Sequence, residues 1–125
     1  MLEYTSHDGI KIQVGQNAKE NDQLTMTSDP KHWWMHVSGC PGAHVVVCHE
    51  GDQLPKETKR DAAVLAVYHS KTPNTKMSHV DLARVDQISE YQKSNHGLGT
   101  LEGEFIQLTI FMNKEKLRLD RLMGK

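Results

Sequence analysis

The sequence predicts an α+β domain: a mostly antiparallel sheet with two main helices on one side of it and a short C-terminal helix. Three observations carry this reading. Short runs rich in Val, Ile, Trp and Thr recur between clusters of turn-forming residues, as strands do. Two longer segments instead place apolar residues at helical spacing behind helix-start signals. An Asp8-Gly9 pair joins the first two short runs, the local mark of a hairpin.

Tyr4 to Val14 reads as that hairpin, with Ile10, Ile12 and Val14 alternating along one buried face. Gly15 ends the strand. Asn17 is an N-cap with Glu20 three residues on, as in a capping box, and opens a helix from Ala18 to Thr27. Its core-facing positions are Leu24 and either Ala18 or Asn21, and Asp29-Pro30 ends it. Trp33 to Val37 is a strand. Ser38-Gly39-Cys40-Pro41-Gly42 is a loop in which Pro41 presets φ and Gly42 tolerates a positive φ. His44 to Cys48 is a β-branched run, read as a central strand buried on both faces.

Pro55 suits the first turn of a helix from Lys56 to His69, whose Ala62, Leu65, Ala66 and His69 share a face. Lys71 to Ser78 is a polar loop, His79 to Ile88 a weaker strand, and Ser94 to Gly99 a loop. Glu104 to Met112 is the clearest late strand. From Asn113 a short helix follows, with Leu117, Leu119 and Leu122 apolar and Lys114, Lys116, Arg118 and Arg121 solvated.

The 125 residues suffice for one domain, 1–125, which at this size buries about two thirds of its unfolded surface without a metal or disulfide. No apolar stretch is long enough to span a membrane, and the N-terminus does not read as a signal peptide, so a cytoplasmic protein with no membrane partner is expected. Cys40 and Cys48 are then reduced thiols. The net charge of −1 is low for a nucleic-acid binder, whose bases must be gathered on one face to act.

Four segments in order resemble the NFACT RNA-binding domain family (NFACT-R). They are Val14-Gly15-Gln16-Asn17-Ala18-Lys19-Glu20-Asn21-Asp22-Gln23-Leu24-Thr25, the Trp-x-His strand in Pro30-Lys31-His32-Trp33-Trp34-Met35-His36, Pro41-Gly42-Ala43-His44-Val45-Val46-Val47, and Ala62 to Lys71. The resemblance covers about residues 10 to 112. It implies a short stand-alone member that binds tRNA or ribosomal RNA, in ribosome-associated quality control or translation, with no catalysis of its own. RNA is expected before DNA, ribosome-associated proteins are further candidate partners, and no cofactor is implied. The chain departs from the family at Gln16, His32, Ala43, Asp81-Leu82-Ala83 and Ile88-Ser89-Glu90; at Ser89-Glu90 a basic pair is replaced. That loss motivates an alternative, a protein-interaction module that kept the fold without RNA affinity. A small-molecule enzyme is third.

Each candidate site residue has two readings. Trp34, His36 and His44 form a stacking and hydrogen-bonding cluster for a base, or a packed Trp with satisfied core histidines. Trp34 and His36 share a strand face, leaving Trp33 to the other face and the core. Asn17, Asn21 and Asp22 contact a nucleotide or cap and brace a helix. Lys19, Lys56, Lys59 and Arg60, with Lys31, Lys71, Lys76 and Arg84, hold phosphates or merely solvate exposed faces. Gly15, Pro41 and Gly42 serve backbone geometry. Cys40, His44, Cys48 and His49 have metal-ligand chemistry, but His44 and Cys48 on one strand lie about 13 Å apart, too far for one ion. Ser38 or Cys40 as nucleophile, with His36 or His44 as base, lacks any oxyanion-hole pattern, and Gly97-Leu98-Gly99 is too short a signal for a phosphate loop.

Overall fold

The computed structural model describes residues 1–70, 76–88 and 106–125. Among these, six strands form one antiparallel sheet: β1 (Leu2–Thr5), β2 (Lys11–Val14), β3 (Trp33–Val37), β4 (Val45–Val47), β5 (Ser78–Arg84) and β6 (Ile106–Ile110). Their order across the sheet is β1-β2-β4-β3-β5-β6. Helices α1 (Ala18–Thr27), α2 (Lys56–Tyr68) and α3 (Lys116–Leu122) accompany it, α3 after a 3-10 turn at Met112–Lys114.

The predicted hairpin forms where the sequence placed it. β1 pairs with β2 from Leu2↔Val14 to Thr5↔Lys11. Gly9 turns the chain at φ +78°, and its N–H donates to the Ser6 carbonyl at 2.9 Å. A side chain there would sit in the left-handed region that favours glycine.

The two main helices lie on opposite faces of the sheet, not on one side. The period of two along each strand sends alternate residues to two separate cores. Ile12, Val14, Met35, Val37, Val45, Val47, Val80, Leu82 and Ile110 pack with Ala62 to Val67 of α2. Trp34, Val46 and Ala83 point the other way and pack with Leu24 of α1, Val85 and Ile88. Val45, Val46 and Val47 are each fully buried, which is possible only with cover on both faces. In α1, Leu24 and Thr25 are buried, Asn21 is half-buried and Ala18 is exposed.

Two further boundaries differ from expectation. β5 ends at Arg84, and residues 85–88 turn helical. The Gln87 side chain accepts the Arg84 N–H at 2.9 Å, while Val85 and Asp86 donate to the carbonyls of His32 and Pro30, so the strand's hydrogen bonds are redirected into a turn. In the 38–42 loop the left-handed glycine is Gly39, at φ +73°; Gly42 contributes its carbonyl instead. The expected loop at 94–99, Lys71 and the Ser89-Glu90 pair lie outside the described residues. Among the described residues no helix is long and apolar enough to cross a membrane.

The C-terminal helix is held by charge, and its arginines are not solvated as expected. Leu119 and Leu122 reach the α2-side core, whereas Leu117 is 85% exposed. Between α3 and α2, Arg118 donates to Asp61 Oδ1 at 2.8 Å, to Glu115 Oε2 at 2.8 Å and to Glu57 Oε2 at 3.1 Å. Arg121 also donates to Asp61 Oδ1, and Arg60 to Glu115 Oε1 at 2.8 Å. Asp61 is fully buried, and its second oxygen accepts the His7 N–H at 2.8 Å, so the same carboxylate anchors the hairpin turn. Burial alone would lower the Arg118 pKa; its bonds to Asp61, Glu115 and Glu57 outweigh that and raise it.

Candidate functional site

The residues singled out around Gly15, Asn17, Asn21 and Gly42 come together as a brace between α1 and the loop entering β4. Asn17 Oδ1 accepts the Glu20 N–H at 2.9 Å, and Glu20 Oε1 reaches back to accept the Gln16 N–H at 3.0 Å, one residue before the N-cap that a capping box would use. Asn21 Nδ2 donates to the Gly42 carbonyl at 3.1 Å, and its Oδ1 accepts the His44 N–H at 3.0 Å. The amide therefore stands in for a strand partner and fixes where His44 enters the sheet. Gly15 donates its N–H to the His44 carbonyl at 3.0 Å. A Cβ at Gly15 would run into Asn21 Oδ1 and come within 3.0 Å of the Asn21 backbone N, so the brace requires glycine here. Asn17 and Asn21 thus have structural partners that account for them, while Lys19 and Asp22 on the same helix are exposed.

The brace positions three aromatic rings on the α1 side of the sheet. His36 lies offset-stacked on Trp34, with centroids 5.7 Å apart and planes at 15°. His44 meets both edge-on, at 5.3 Å from Trp34 and 5.2 Å from His36. Trp34 takes the packed reading, and Trp33 faces the other way and packs against the α2-side core. Trp34 is only 4% exposed, whereas Trp33 is half-buried under the Arg84 guanidinium, 3.8 Å from its ring. The alternation in β3 put them on opposite faces, but α1 covers the face that Trp34 shares.

The hydrogen bonds fix the tautomer of His44. The Thr25 hydroxyl has one proton, which it donates to the Asn21 carbonyl one turn back at 2.9 Å. It must therefore accept from His44 Nδ1–H, 3.0 Å away. Nε2 of His44 is left as a lone-pair acceptor. Burial pushes the His44 pKa down to about 4, and the neighbouring His36 adds to this. Burial also lowers the His36 pKa, against the opposing pull of Asp81. Both rings are neutral near pH 7. Among the described residues, neither the His36 ring nor His44 Nε2 has a hydrogen-bond partner, and the buried Trp34 Nε1–H has none either. Beside them Asp81, the cross-strand partner of His36, accepts from Gln107 Nε2 at 3.0 Å.

The basic residues are not brought to this cluster. Lys56, Lys59 and Arg60 lie on α2, on the opposite face of the sheet, and Arg60 is paired with Glu115. Arg84 stacks on Trp33 and donates to the carbonyls of Lys31, Glu50 and Gly51, which ties down the 49–52 loop. With Arg118 and Arg121 held by Asp61, all four arginines of the chain are engaged internally. No sequence signal marked Asp61, Glu115 and Arg118; an Asp inside the apolar stretch of α2 was the one available hint.

Cys40 and Cys48 are free thiols. Cys48 Sγ donates to Gln13 Oε1 at 3.6 Å, and burial raises its pKa, which keeps it a thiol. Among the described residues the metal-type donor atoms that converge belong to Asp29, His32 and Glu50, within 4.8 Å of one another. Asp29 has a structural role of its own there, since its Oδ1 accepts the Lys31 N–H at 2.8 Å in the turn before β3.

The family model of the NFACT protein RNA binding domain matches residues 1–106. The chain belongs to the NFACT protein RNA binding domain family. It is 34% identical over 103 residues to the Rqc2 homolog RqcH of Streptococcus suis (strain 05ZYH33), which covers 81% of this chain and 18% of that protein. To the Rqc2 homolog RqcH of Bacillus subtilis (strain 168) it is 27% identical over 113 residues, 90% of this chain and 19% of that protein. This NFACT-R chain thus spans about a fifth of the length of these curated relatives. Its fold is similar to the solved C-terminal part of the fibronectin/fibrinogen-binding protein from Streptococcus suis (FBPS), with a TM-score of 0.65 and 30% identity, covering 87% of this chain and 43% of that one. The brace and the Trp34-His36-His44 cluster lie inside the matched part of the NFACT-R domain; α3 lies beyond it, while its ionic partners Glu57 and Asp61 on α2 lie inside.

Proposed function

We propose that this NFACT-R chain is a non-catalytic domain that binds tRNA or ribosomal RNA in ribosome quality control, through the face carrying Trp34, His36 and His44. The family membership supports RNA as the ligand, and the Rqc2-type relatives support the ribosomal setting and a cytoplasmic location. The observation that carries the choice of face is the ring cluster, whose two histidines keep hydrogen-bonding atoms without internal partners. Trp34 backs the cluster from within the core, while His36 and His44, half-buried, form its accessible part. Lys19 on α1 supplies charge on the same side, and Asn21 places His44.

The test is fluorescence anisotropy with labelled tRNA at low and moderate salt. Wild type is expected to bind, with affinity falling as salt rises. With all four arginines engaged, phosphate contacts fall to lysines and the salt slope should be shallow. His36→Ala and His44→Ala should weaken binding in proteins that still fold, whereas Lys56→Ala and Lys59→Ala on the far face should not.

A second reading, a protein-interaction module, is favoured by the net charge of −1 and the absence of a free arginine among the described residues. The relative of solved structure is named for binding fibronectin and fibrinogen. Failure to bind any RNA at low salt, with salt-insensitive capture of a protein partner, would select this reading.

A further inference from the structure

We propose that His36, His44 and Asp81 form a reader for the edge of an unpaired nucleobase that carries an exocyclic amino group, and that this site does not bind phosphate. The inference rests on the RNA-binding reading and specifies what the site recognises.

The polar atoms at the site are mostly acceptors. Thr25 holds His44 as the Nδ1–H tautomer, so its Nε2 offers a lone pair. Asp81 offers a carboxylate that Gln107 engages through one oxygen, Oδ1. The His36 ring adds one donor and one acceptor in its neutral form. A phosphate brings only acceptors and negative charge, so it would face the lone pair of His44 and the charge of Asp81. An amino-bearing base edge brings the donors these groups lack: adenine and cytosine present an N–H₂ group, and guanine presents one beside a ring N–H. Uracil presents a single ring N–H between two carbonyl acceptors. The flat His36 ring on Trp34 adds an aromatic surface for a base that has left its stack.

Protonation gives this proposal a signature of its own. The titratable groups facing the imidazole pair among the described residues are the two rings themselves and Asp81 on β5; α1 contributes Asn21 and Thr25, which do not titrate. Adding a proton to His44 removes the acceptor at Nε2. Base reading therefore persists until pH falls toward 4, whereas a phosphate contact would be strengthened by acid.

The experiment measures binding of single-stranded RNA oligomers of equal length by anisotropy at pH 7.5 and pH 5.5. Oligo-A, oligo-C, oligo-U and an abasic oligomer with the same phosphates are compared, with labelled tRNA as a reference. His44→Gln and Asp81→Asn are measured alongside wild type, their folding checked by urea unfolding. Oligo-A or oligo-C should bind about tenfold or more tightly than oligo-U and the abasic oligomer, a gap that corresponds to one good base contact. The preference should shrink in Asp81→Asn and His44→Gln and persist at pH 5.5, where His44 is still neutral. Equal binding of the abasic and base-bearing oligomers, with tRNA still bound, would overturn the base reader and leave RNA binding standing. Binding of tRNA without any oligomer would overturn it as well. Loss of all binding, tRNA included, would overturn both readings.

Discussion

The two faces of the sheet treat polar groups in opposite ways. On the α2 side, Asp61, Glu115, Arg118, Arg121 and Arg60 form a network in which Asp61 uses both carboxylate oxygens and each arginine has a carboxylate. On the α1 side, Trp34, His36 and His44 touch one another as rings and leave nitrogen atoms without partners among the described residues. A closed network has little left to offer a ligand and serves to hold elements together. An open one gives up stability, because a buried donor without a partner costs about 1–3 kcal/mol. In the proposed reading the first region serves stability and the second recognition.

The strongest challenge to that contrast is Asp61→Ala. It leaves Arg118 and Arg121 without their buried carboxylate and frees the His7 N–H, so a loss of about 3–5 kcal/mol is expected in urea unfolding. A loss below about 1 kcal/mol would mean the network is decorative. Trp34 separates packing from hydrogen bonding. Trp34→Ala should cost about 3–5 kcal/mol as a core truncation. Trp34→Phe keeps a ring and removes the unpartnered N–H, so its cost should stay below about 1.5 kcal/mol. Equal losses for the two variants would show that the N–H has a partner in solution.

The pH dependence comes next in size. His44 in the unfolded chain takes up a proton near its ordinary pKa of about 6.5, whereas in the folded protein it does so only near 4. The unfolded state therefore binds more protons between these values, and stability falls as pH is lowered through that window, by at most about 1.4 kcal/mol per unit. His36 adds to the fall in the same direction. The α2 side responds at lower pH. Burial opposes ionisation of Glu115, but Arg60 and Arg118 outweigh it and lower its pKa, so its contribution is lost only as pH falls through the carboxylate range. His44→Asn should flatten the slope between pH 6.5 and 4 and leave the acid limb in place; an unchanged slope would contradict the assignment. The smallest effect is at the helix cap: Asn17→Ala should cost about 1 kcal/mol in thermal or urea unfolding and leave RNA affinity nearly unchanged.

Local features were legible in the sequence and long-range ones were not. The Asp8-Gly9 turn, the Asn17 N-cap and the start of α2 at Lys56 depend on neighbours within four residues, and each appears as read. The placement of helices on opposite faces was encoded too, since a run such as Val45-Val46-Val47 buried on both faces demands two covers. Period-two spacing placed Trp34 with His36 but could not say that α1 would cover that face and bury Trp34. The tautomer of His44 depends on Thr25, 19 residues away, and the ion pair of Arg118 with Asp61 spans 57 residues. No periodicity reports such partners; only the folded chain brings them together.

The central claim, that the open face is the binding face, is tested most directly by nitrogen NMR of the imidazole side chains and backbone amides during titration with tRNA. The account predicts two neutral rings at pH 7, His44 carrying its proton on Nδ1, and shifts of His36 and His44 on adding RNA while signals from Lys56 to Arg60 stay in place. Imidazole signals that do not move while the α2 signals shift would put the RNA on the other face and contradict it.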